Sequence, residues 1–149
     1  MAETRFHAMP DGRRIAYRHA RGAGPAILFL PGYRSDMAGG KATALLAWAE
    51  VERRECLLFD YSGCGESDGD FAQGTLSRWQ EEAAVLLSTH VAGPVVLVGS
   101  SMGGWLALLL ARALAPRLAG LVGIAAAPDF TEWGFTAPPG PLPRERHRG

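Results

Sequence analysis

The stretch VVLVGSSMGG, residues 95–104, joins a run of apolar, mostly β-branched residues to a corner rich in glycine. The apolar run at 95–98 is short and predicts a buried strand. Mostly apolar residues resume after the glycines, through about residue 114, and favour a helix. The stretch therefore predicts a strand that turns sharply into a helix, with Ser101 at the corner.

At this corner, Gly99, Ser101 and Gly103 have the spacing G-x-S-x-G, which is typical of a nucleophile elbow. The serine of such an elbow lies on a strained turn, so the residues two positions away must be nearly without side chains. The helix start directs free N–H groups and the positive end of its dipole at the serine hydroxyl. We interpret Ser101 as a candidate catalytic nucleophile and the Met102 N–H as one donor of an oxyanion hole.

A second donor for such a hole is predicted in FLPGYRSD, residues 29–36. A buried strand ends there at Pro31-Gly32, which leaves the Tyr33 N–H as the donor. A plain loop is the alternative, and it would be preferred without the elbow. With the elbow present, we favour an oxyanion hole formed by the backbone N–H groups of Tyr33 and Met102.

Strands and helices alternate along the chain on both sides of the elbow. Residues 4–8 and 13–19 flank a Pro-Asp-Gly turn and predict an N-terminal hairpin. Buried strands that alternate with helices are typical of a parallel sheet with crossover connections. The predicted buried strands are 26–30, 56–60, 95–98 and one within 118–127, and the predicted helices are 40–54, from Thr75 or Ser77 to about His90, and 102–114.

Three motifs together resemble those of the α/β-hydrolase family. LPGY (30–33) is similar to its oxyanion loop, DYSGCGESDG (60–69) to the turn after its fourth strand, and GSSMGG (99–104) to its elbow. Within the family, residues 3–135 resemble most closely the subfamily that contains a mitochondrial palmitoyl-protein thioesterase, also described as an acyl-glucuronide esterase, and its bacterial relatives. The resemblance implies hydrolysis of small acyl esters or thioesters through an acyl-serine intermediate, with no metal and no organic cofactor.

The family places an acid and a histidine after the serine, following the seventh and eighth strands of the sheet. If the hairpin supplies the first two strands, the run at 118–127 is the sixth, and a tail rich in proline and arginine follows it. We therefore expect only the N-terminal part of the fold, without the last strands and the lid, and neither a catalytic acid nor a catalytic histidine. The unpaired strand edge should then promote association.

Each of the four histidines fits a role outside catalysis. His7 and His19 belong to the hairpin and precede the serine, so we expect them at the surface of their strands. His90 falls near a helix C-terminus, where the dipole favours a cation. His147 follows Ser101, but it lies in a segment with nothing to hold it.

Two aspartates raise further alternatives. Asp129 follows the sixth strand, where some hydrolases of this fold carry their acid, but with Glu132 it also forms a capping-box pattern, which we prefer. Asp60 is expected to shape the glycine-rich turn that extends to Asp70. Phosphate binding by this turn is disfavoured because no Gly-Lys-Ser/Thr sequence follows.

We predict a hydrolase domain at residues 1–137 and a disordered tail at 138–149, whose four prolines and three arginines offer no apolar period. The abrupt change suggests an N-terminal fragment or a frameshifted product of a serine hydrolase. The alternative is a non-catalytic binding module on the same scaffold. A nucleotide-binding α/β domain fits less well, since the glycines lack both the G-x-G-x-x-G spacing and a phosphate-binding lysine.

Composition limits the remaining possibilities. The 149 residues suffice for one domain, and 15 basic against 15 acidic residues give no charge excess that would favour nucleic acid or an anionic membrane. Cys56 and Cys64 are too few for a disulfide scaffold and fit a reducing compartment. The N-terminus shows no apolar signal segment, and no apolar run is long enough to span a bilayer, so we expect a cytoplasmic protein.

Overall fold

Within residues 2–124, six strands form one mixed sheet, and three α-helices pack against it. The computed structural model describes residues 2–124 of the chain. The strands are β1 (Arg5–Ala8), β2 (Arg14–Ala20), β3 (Ala23–Leu30), β4 (Arg54–Phe59), β5 (Val95–Ser100) and β6 (Leu118–Ile124), the α-helices are α1 (Gly40–Glu52), α2 (Leu76–His90) and α3 (Met102–Ala113), and short 3-10 helices lie at Phe71–Gln73 and Ala115–Arg117.

The strands lie side by side in the order β1-β2-β4-β3-β5-β6. β1 and β2 form the predicted hairpin, β2 pairs antiparallel with β4, and the four strands from β4 to β6 in this order run parallel. Because parallel strands end at the same edge, the loops after β3 and β5 meet there. The arrangement confirms the predicted N-terminal part of an α/β-hydrolase fold, and no seventh or eighth strand occurs within residues 2–124.

The predicted elements are all present, with small shifts at their ends. α1 ends two residues early because Arg53 adopts a left-handed conformation with φ 57°, and β4 begins directly after it. α2 begins after Thr75, whose hydroxyl accepts a hydrogen bond from the Arg78 N–H at 3.0 Å. Thr75 rather than Ser77 is therefore the N-cap. The boundary at residue 137 and the tail at 138–149 lie outside the described residues.

Alternating side chains of the sheet pack into two apolar clusters, one on each face. Leu28, Leu57 and Leu97 lie in register on neighbouring strands and face α2 and α3. Phe29 and Leu58 face the other way and pack against α1. Both faces of the central strands are thus covered, as expected for strands whose sequences are almost continuously apolar.

α3 is mostly apolar, and it follows the elbow directly. Met102, Leu106 and Leu110 are each about 1% exposed, whereas Leu108 on the opposite side is 44% exposed. Its buried face contacts β5, β6 and α2. Neither this helix nor another helix among residues 2–124 has the length and apolarity needed to cross a membrane.

β6 forms one edge of the sheet among the described residues. It pairs with β5 on one side, and its other edge faces no strand within residues 2–124. Leu121 and Val122 are 40% and 47% exposed. Within residues 2–124, these two side chains therefore lie partly exposed beside a strand edge that has no partner.

A buried ion pair joins the hairpin to α2. The Glu82 side chain is fully buried, and its carboxylate accepts hydrogen bonds from the Arg13 Nε at 3.0 Å and from the Ser62 N–H at 2.9 Å. The Arg13 side chain is 11% exposed. One carboxylate therefore connects the β1–β2 turn, the loop after β4 and the second helix.

Three imidazoles from different elements meet in what we call the histidine cluster, formed by His7, His19 and His90. The His90 ring centroid lies 5.2 Å from that of His7 and 6.4 Å from that of His19. The His19 Nε2 is 2.7 Å from the Glu55 carboxylate, and the His19 side chain is only 6% exposed. The expectation that His19 lies at the surface is therefore wrong, because strand pairing buries it beside β4 and α2.

The histidine cluster should make stability depend on pH. Burial, together with the neighbouring His7, His19 and Arg21, lowers the pKa of His90 below its ordinary value of 6.5, which overrides the helix-dipole effect. Just below pH 6.5 the unfolded chain therefore binds a proton that the folded chain does not, so the free energy of unfolding falls as pH decreases. We expect the fall between pH 7 and pH 5 to be smaller in H90Q than in the unmodified chain.

Urea unfolding at pH 7, 6 and 5 measures this difference. The H90Q variant keeps a polar side chain at the end of α2 but cannot take up a proton in this range. Identical pH dependence in the two proteins would show that protonation of His90 does not oppose folding.

Candidate active site

Ser101 lies at the junction between β5 and α3, in a backbone conformation that is rare for a residue with a side chain. Its φ is 56° and its ψ is −118°. The Ser101 N–H donates to the Ile124 carbonyl oxygen at 2.9 Å, and its own carbonyl accepts from the Gly104 N–H at 2.8 Å. The residue is partly exposed. These bonds hold Ser101 in a strained corner.

The two glycines around Ser101 are required by close backbone packing. A Cβ atom on Gly99 would overlap the carbonyl of Gly103, and one on Gly103 would overlap the carbonyl of Leu30 at the end of β3. The start of α3 therefore lies directly against both β5 and β3. The overlap that a Cβ atom would cause explains why both positions are glycine, and it is the steric reason that the sequence pattern suggested.

The first turn of α3 begins directly after Ser101. Ser101 is the N-cap residue, yet its side chain makes no capping hydrogen bond, so the hydroxyl is not committed to the helix. N–H groups in a first helical turn lack intrahelical partners and carry the positive end of the dipole. The Met102 N–H belongs to this turn, as the sequence predicts for an oxyanion donor.

The loop that carries Tyr33 lies against the same corner. A Cβ on Gly32 would be 3.2 Å from the Ser100 carbonyl oxygen and 3.3 Å from the Ser101 Cβ. The buried Tyr61 hydroxyl donates to the Pro31 carbonyl oxygen at 2.7 Å and so anchors the start of the loop. Tyr33 therefore follows directly after a residue in near contact with the serine.

Asp60 fixes the loops around the site, as its position in the glycine-rich turn predicts. Its carboxylate is 1% exposed and accepts hydrogen bonds from the Met37 N–H at 2.7 Å and from the Glu66 N–H at 2.9 Å. Burial raises the pKa of Asp60, and the two N–H groups partly oppose that rise. Asp70 has a local role, because it accepts from the Ala72 N–H and caps a short 3-10 helix.

A cavity of about 480 Å³ opens between the Tyr33 loop and the start of α3. We call it the aromatic cavity. Tyr33 and Met102, whose backbone N–H groups are the two candidate oxyanion donors, both line it. Its other walls include Arg34, Phe71, Leu76 and Trp79.

The histidines of the described chain lie away from Ser101. His19 of β2 pairs in register with Leu57 of β4, and Leu57 pairs in register with Leu28 of β3. Leu28 is in turn in register with Leu97 of β5. Three strand spacings of about 4.8 Å separate His19 from β5 by about 14 Å, and Ser101 lies four residues further along. Since His7 and His90 contact each other beside His19, no imidazole within residues 2–124 reaches the Ser101 hydroxyl.

The remaining candidates for the acid and the base, Asp129 and His147, lie outside the described residues, as does the capping-box pattern of Asp129 and Glu132. Among residues 2–124, no group of three His, Cys, Asp or Glu side chains is placed to hold a metal ion. Cys56 and Cys64 are both free and buried, and burial raises the pKa of the Cys56 thiol to about 12.

Sequence reasoning did not find the aromatic cavity, the Glu82–Arg13 pair or the histidine cluster. Phe71 and Trp79 reach the cavity from a 3-10 helix and from α2, and no spacing rule connects them to Tyr33. A weak signal for Glu82 was present, because an acidic residue at that position interrupts the apolar face of α2.

Comparisons with known proteins agree with the fold. The alpha/beta hydrolase family matches this chain over residues 27–149. The human palmitoyl-protein thioesterase ABHD10, mitochondrial, is 39% identical over 140 residues, which are 94% of this chain and 46% of that protein. The structure of alpha/beta hydrolase domain-containing protein 10 from mouse is 39% identical, with a TM-score of 0.81 over 85% of this chain and 50% of that one.

A bacterial structure is similar to the same extent. A putative hydrolase from Agrobacterium vitis S4 is 40% identical, with a TM-score of 0.81 over 98% of this chain and 60% of that one. The chain thus spans about half the length of the curated relatives it matches.

The names of the curated relatives contradict the expectation of a cytoplasmic protein. The human, orangutan and rat proteins are all named as mitochondrial. The expectation depended on the lack of an apolar signal segment, which is informative about secretion only, and on the acidic Glu3 and Asp11, which weigh against an import segment. Segments that direct import into mitochondria are amphipathic and rich in arginine and serine, so apolarity is the wrong criterion for this compartment.

Proposed function

Because this chain belongs to the alpha/beta hydrolase family, we propose that it is a serine hydrolase that cleaves carboxylic ester or thioester bonds through an acyl-serine intermediate. The observation that carries the proposal is the strained, partly exposed Ser101 with an uncommitted hydroxyl at the start of α3. Strain of this kind costs on the order of 1–3 kcal/mol and persists where it serves a site.

In this proposal the Ser101 Oγ attacks the carbonyl carbon of the substrate while a base takes the hydroxyl proton. The carbonyl oxygen becomes an oxyanion that accepts hydrogen bonds from the Met102 and Tyr33 N–H groups. Collapse of the intermediate breaks the bond to the leaving alcohol or thiol, which takes up the proton. Water then hydrolyses the acyl-serine and regenerates the hydroxyl. Gly99 and Gly103 contribute by allowing the backbone to form the elbow.

The substrate class in this proposal is a small acyl ester or thioester. The family membership supports the ester-type bond, and the relatives named palmitoyl-protein thioesterase support a thioester among the substrates. The 480 Å³ cavity beside both oxyanion donors has room for part of an acyl or aromatic group.

We further propose that these 149 residues turn over substrate slowly. Without a base within about 2.6–3.2 Å, a serine hydroxyl is a poor nucleophile. In serine proteases that lack triad members, the oxyanion hole and substrate binding alone leave about 10³–10⁴-fold acceleration over water. We expect acceleration of that order here, compared with 10⁶-fold or more for typical enzymes.

A fluorophosphonate probe tests the nucleophile. We expect slow modification of one residue, found on the Ser101 peptide by mass spectrometry and lost to background in S101A. The matched control is S100A, which removes the neighbouring hydroxyl and should keep the modification. Added imidazole should increase the rate of acylation by a 4-nitrophenyl ester in the unmodified chain more than in S101A, because it supplies a base from solution.

Each result has a distinct meaning. Rapid, complete labelling of Ser101 would show that a base is present in the chain and would overturn slow turnover. Equal modification of S101A and the unmodified chain would exclude Ser101 as the nucleophile. That outcome would favour a non-catalytic binding module, for which the lack of an imidazole near Ser101 among residues 2–124 is the supporting observation.

A further inference from the structure

We propose that His7 and His90 form a binding site for one divalent cation of the zinc type, held between the Nδ1 of His7 and the Nε2 of His90. The site lies at the N-terminal hairpin, away from Ser101. The ion therefore takes no part in the proposed hydrolysis, and the inference does not rest on that function. Three features support it: the direction of the two ring nitrogens, the distance between them, and the elements that hold the rings.

The two ring nitrogens point at each other. The His90 Nε2 lies 3.3 Å from the His7 Nδ1, and the ring planes cross at 83°. The lone pair of a neutral imidazole lies in the plane of its ring, so this contact directs one nitrogen at the other. A cation between them accepts a lone pair from each ring. The proton of the donating nitrogen then moves to the other nitrogen of the same ring, and both imidazoles stay neutral.

The distance between the nitrogens fits one coordination geometry better than others. Zinc–nitrogen bonds of about 2.0–2.1 Å at a tetrahedral angle place two ligand nitrogens about 3.3–3.4 Å apart. The same bonds at a right angle, as in octahedral or square-planar complexes, place them about 2.8–3.0 Å apart. The observed 3.3 Å therefore favours a tetrahedral ion, Zn²⁺ or Co²⁺.

Each ring is positioned by a different element of the fold. His7 lies on β1 opposite Ile15 of β2, and His90 is the last residue of α2. The ring of the buried Tyr17 lies 4.6 Å from the His90 ring and supports it from below the pair. Tertiary packing thus brings the two ligands together before an ion arrives, which reduces the cost of binding.

His19 completes the histidine cluster but has another partner. Its Nε2 is 2.7 Å from the Glu55 carboxylate, and its ring centroid is 6.4 Å from that of His90. Within residues 2–124, no third His, Cys, Asp or Glu joins the pair as a ligand. His7 and His90 are both partly exposed, so water can complete the coordination. The affinity should therefore be well below that of a closed zinc site with four protein ligands.

A bound ion would join the edge strand β1 to the end of α2. The two ligands are 83 positions apart in sequence and meet only when the hairpin packs against this helix. The ion therefore binds the folded chain in preference to the unfolded chain, and it should stabilise the fold by this difference.

Calorimetric titration of Zn²⁺ into the full chain at pH 7, prepared without a histidine tag, tests the site. We expect one Zn²⁺ per chain with a dissociation constant in the micromolar range. H7Q and H90Q should each weaken binding by about tenfold or more, because the remaining imidazole loses the advantage of a second ligand held beside it. H147Q, which removes the histidine near the C-terminus, is the matched control and should bind like the unmodified chain.

Two further measurements do not rely on affinity alone. Co²⁺ in a tetrahedral site absorbs visible light far more strongly than the octahedral aqua ion, so the unmodified chain should show these bands and H90Q should lack them. Zn²⁺ should also raise the urea midpoint of the unmodified chain and of H147Q, and should leave that of H90Q unchanged.

Three outcomes would overturn the proposal. The first is no binding of Zn²⁺ to the unmodified chain at concentrations up to about 1 mM, which is measured without any substitution. The second is unchanged Zn²⁺ affinity in both H7Q and H90Q, and the third is loss of binding in H147Q, which would place the ion outside the pair. Labelling of Ser101 is measured separately, so none of these results bears on the proposed hydrolase activity.

Discussion

Replacement of Gly103 by alanine should abolish cooperative folding or lower the Tm by more than about 10 °C. The added Cβ would overlap the carbonyl oxygen of Leu30 and approach that of Pro31, both backbone atoms that cannot rotate away. The start of α3 would have to move off β3, at a cost of about 3 kcal/mol or more. For a domain of this size, each kcal/mol corresponds to roughly 3–4 °C in Tm.

Gly40 provides the matched control for this substitution. It is the first residue of α1, and no atom lies within 4 Å of the place that a Cβ would occupy, so G40A adds the same methyl group to a helix start without a clash. Alanine is the better helix former, so G40A should leave the free energy of unfolding unchanged or raise it by up to about 1 kcal/mol. Thermal unfolding followed by circular dichroism compares the two variants, and a G103A transition at the unmodified Tm would contradict the close packing of α3 on β3.

Replacement of Glu82 by glutamine should lower the free energy of unfolding by about 3 kcal/mol. The substitution leaves the Arg13 guanidinium, whose side chain is 11% exposed, without its buried counter-charge. Breaking a buried pair by removing one partner typically costs about 3–5 kcal/mol, and the glutamine amide oxygen can still accept one of the two hydrogen bonds. Urea unfolding at pH 7 measures the loss.

The adjacent glutamate is the control. Glu81 lies 3.6 Å from the same guanidinium but is 59% exposed, so E81Q should change the free energy of unfolding by less than about 1 kcal/mol. A double variant, R13M with E82Q, should recover part of the loss because it removes both charges from the interior while the glutamine amide oxygen still accepts from the Ser62 N–H. Equal effects of E81Q and E82Q would show that burial does not strengthen this ion pair.

Local patterns were enough to predict the order of strands and helices. The buried strands are short apolar runs that end at glycine or proline, as at Pro31 and Gly99, and their length distinguishes them from helices. The cap at Thr75 follows from the affinity of a hydroxyl for free N–H groups. Close backbone packing at the Ser101 corner requires glycine two positions before and two positions after the serine. These residues all lie within five positions, so the motif can be recognised in the sequence.

Contacts that depend on the order of strands in the sheet could not be predicted from such local patterns. His7, His19 and His90 are up to 83 positions apart in sequence and meet because β1, β2 and α2 pack together. Arg34 reaches the Phe71 ring through a loop whose left-handed residue is an arginine, where local preference favours glycine or asparagine. Contacts between residues that are far apart in sequence arise from tertiary packing. The spacing of apolar residues along the chain does not specify them.

The backbone of Ser101 depends on the outermost strand. Its N–H donates to the carbonyl oxygen of Ile124, the final residue of β6, whose outer side has no neighbouring strand among residues 2–124. Fraying of β6 would release this bond and remove one restraint on the unusual φ of Ser101. Stable pairing of β6 with β5 therefore favours the strained conformation of the proposed nucleophile, so the outermost strand and the elbow are thermodynamically linked.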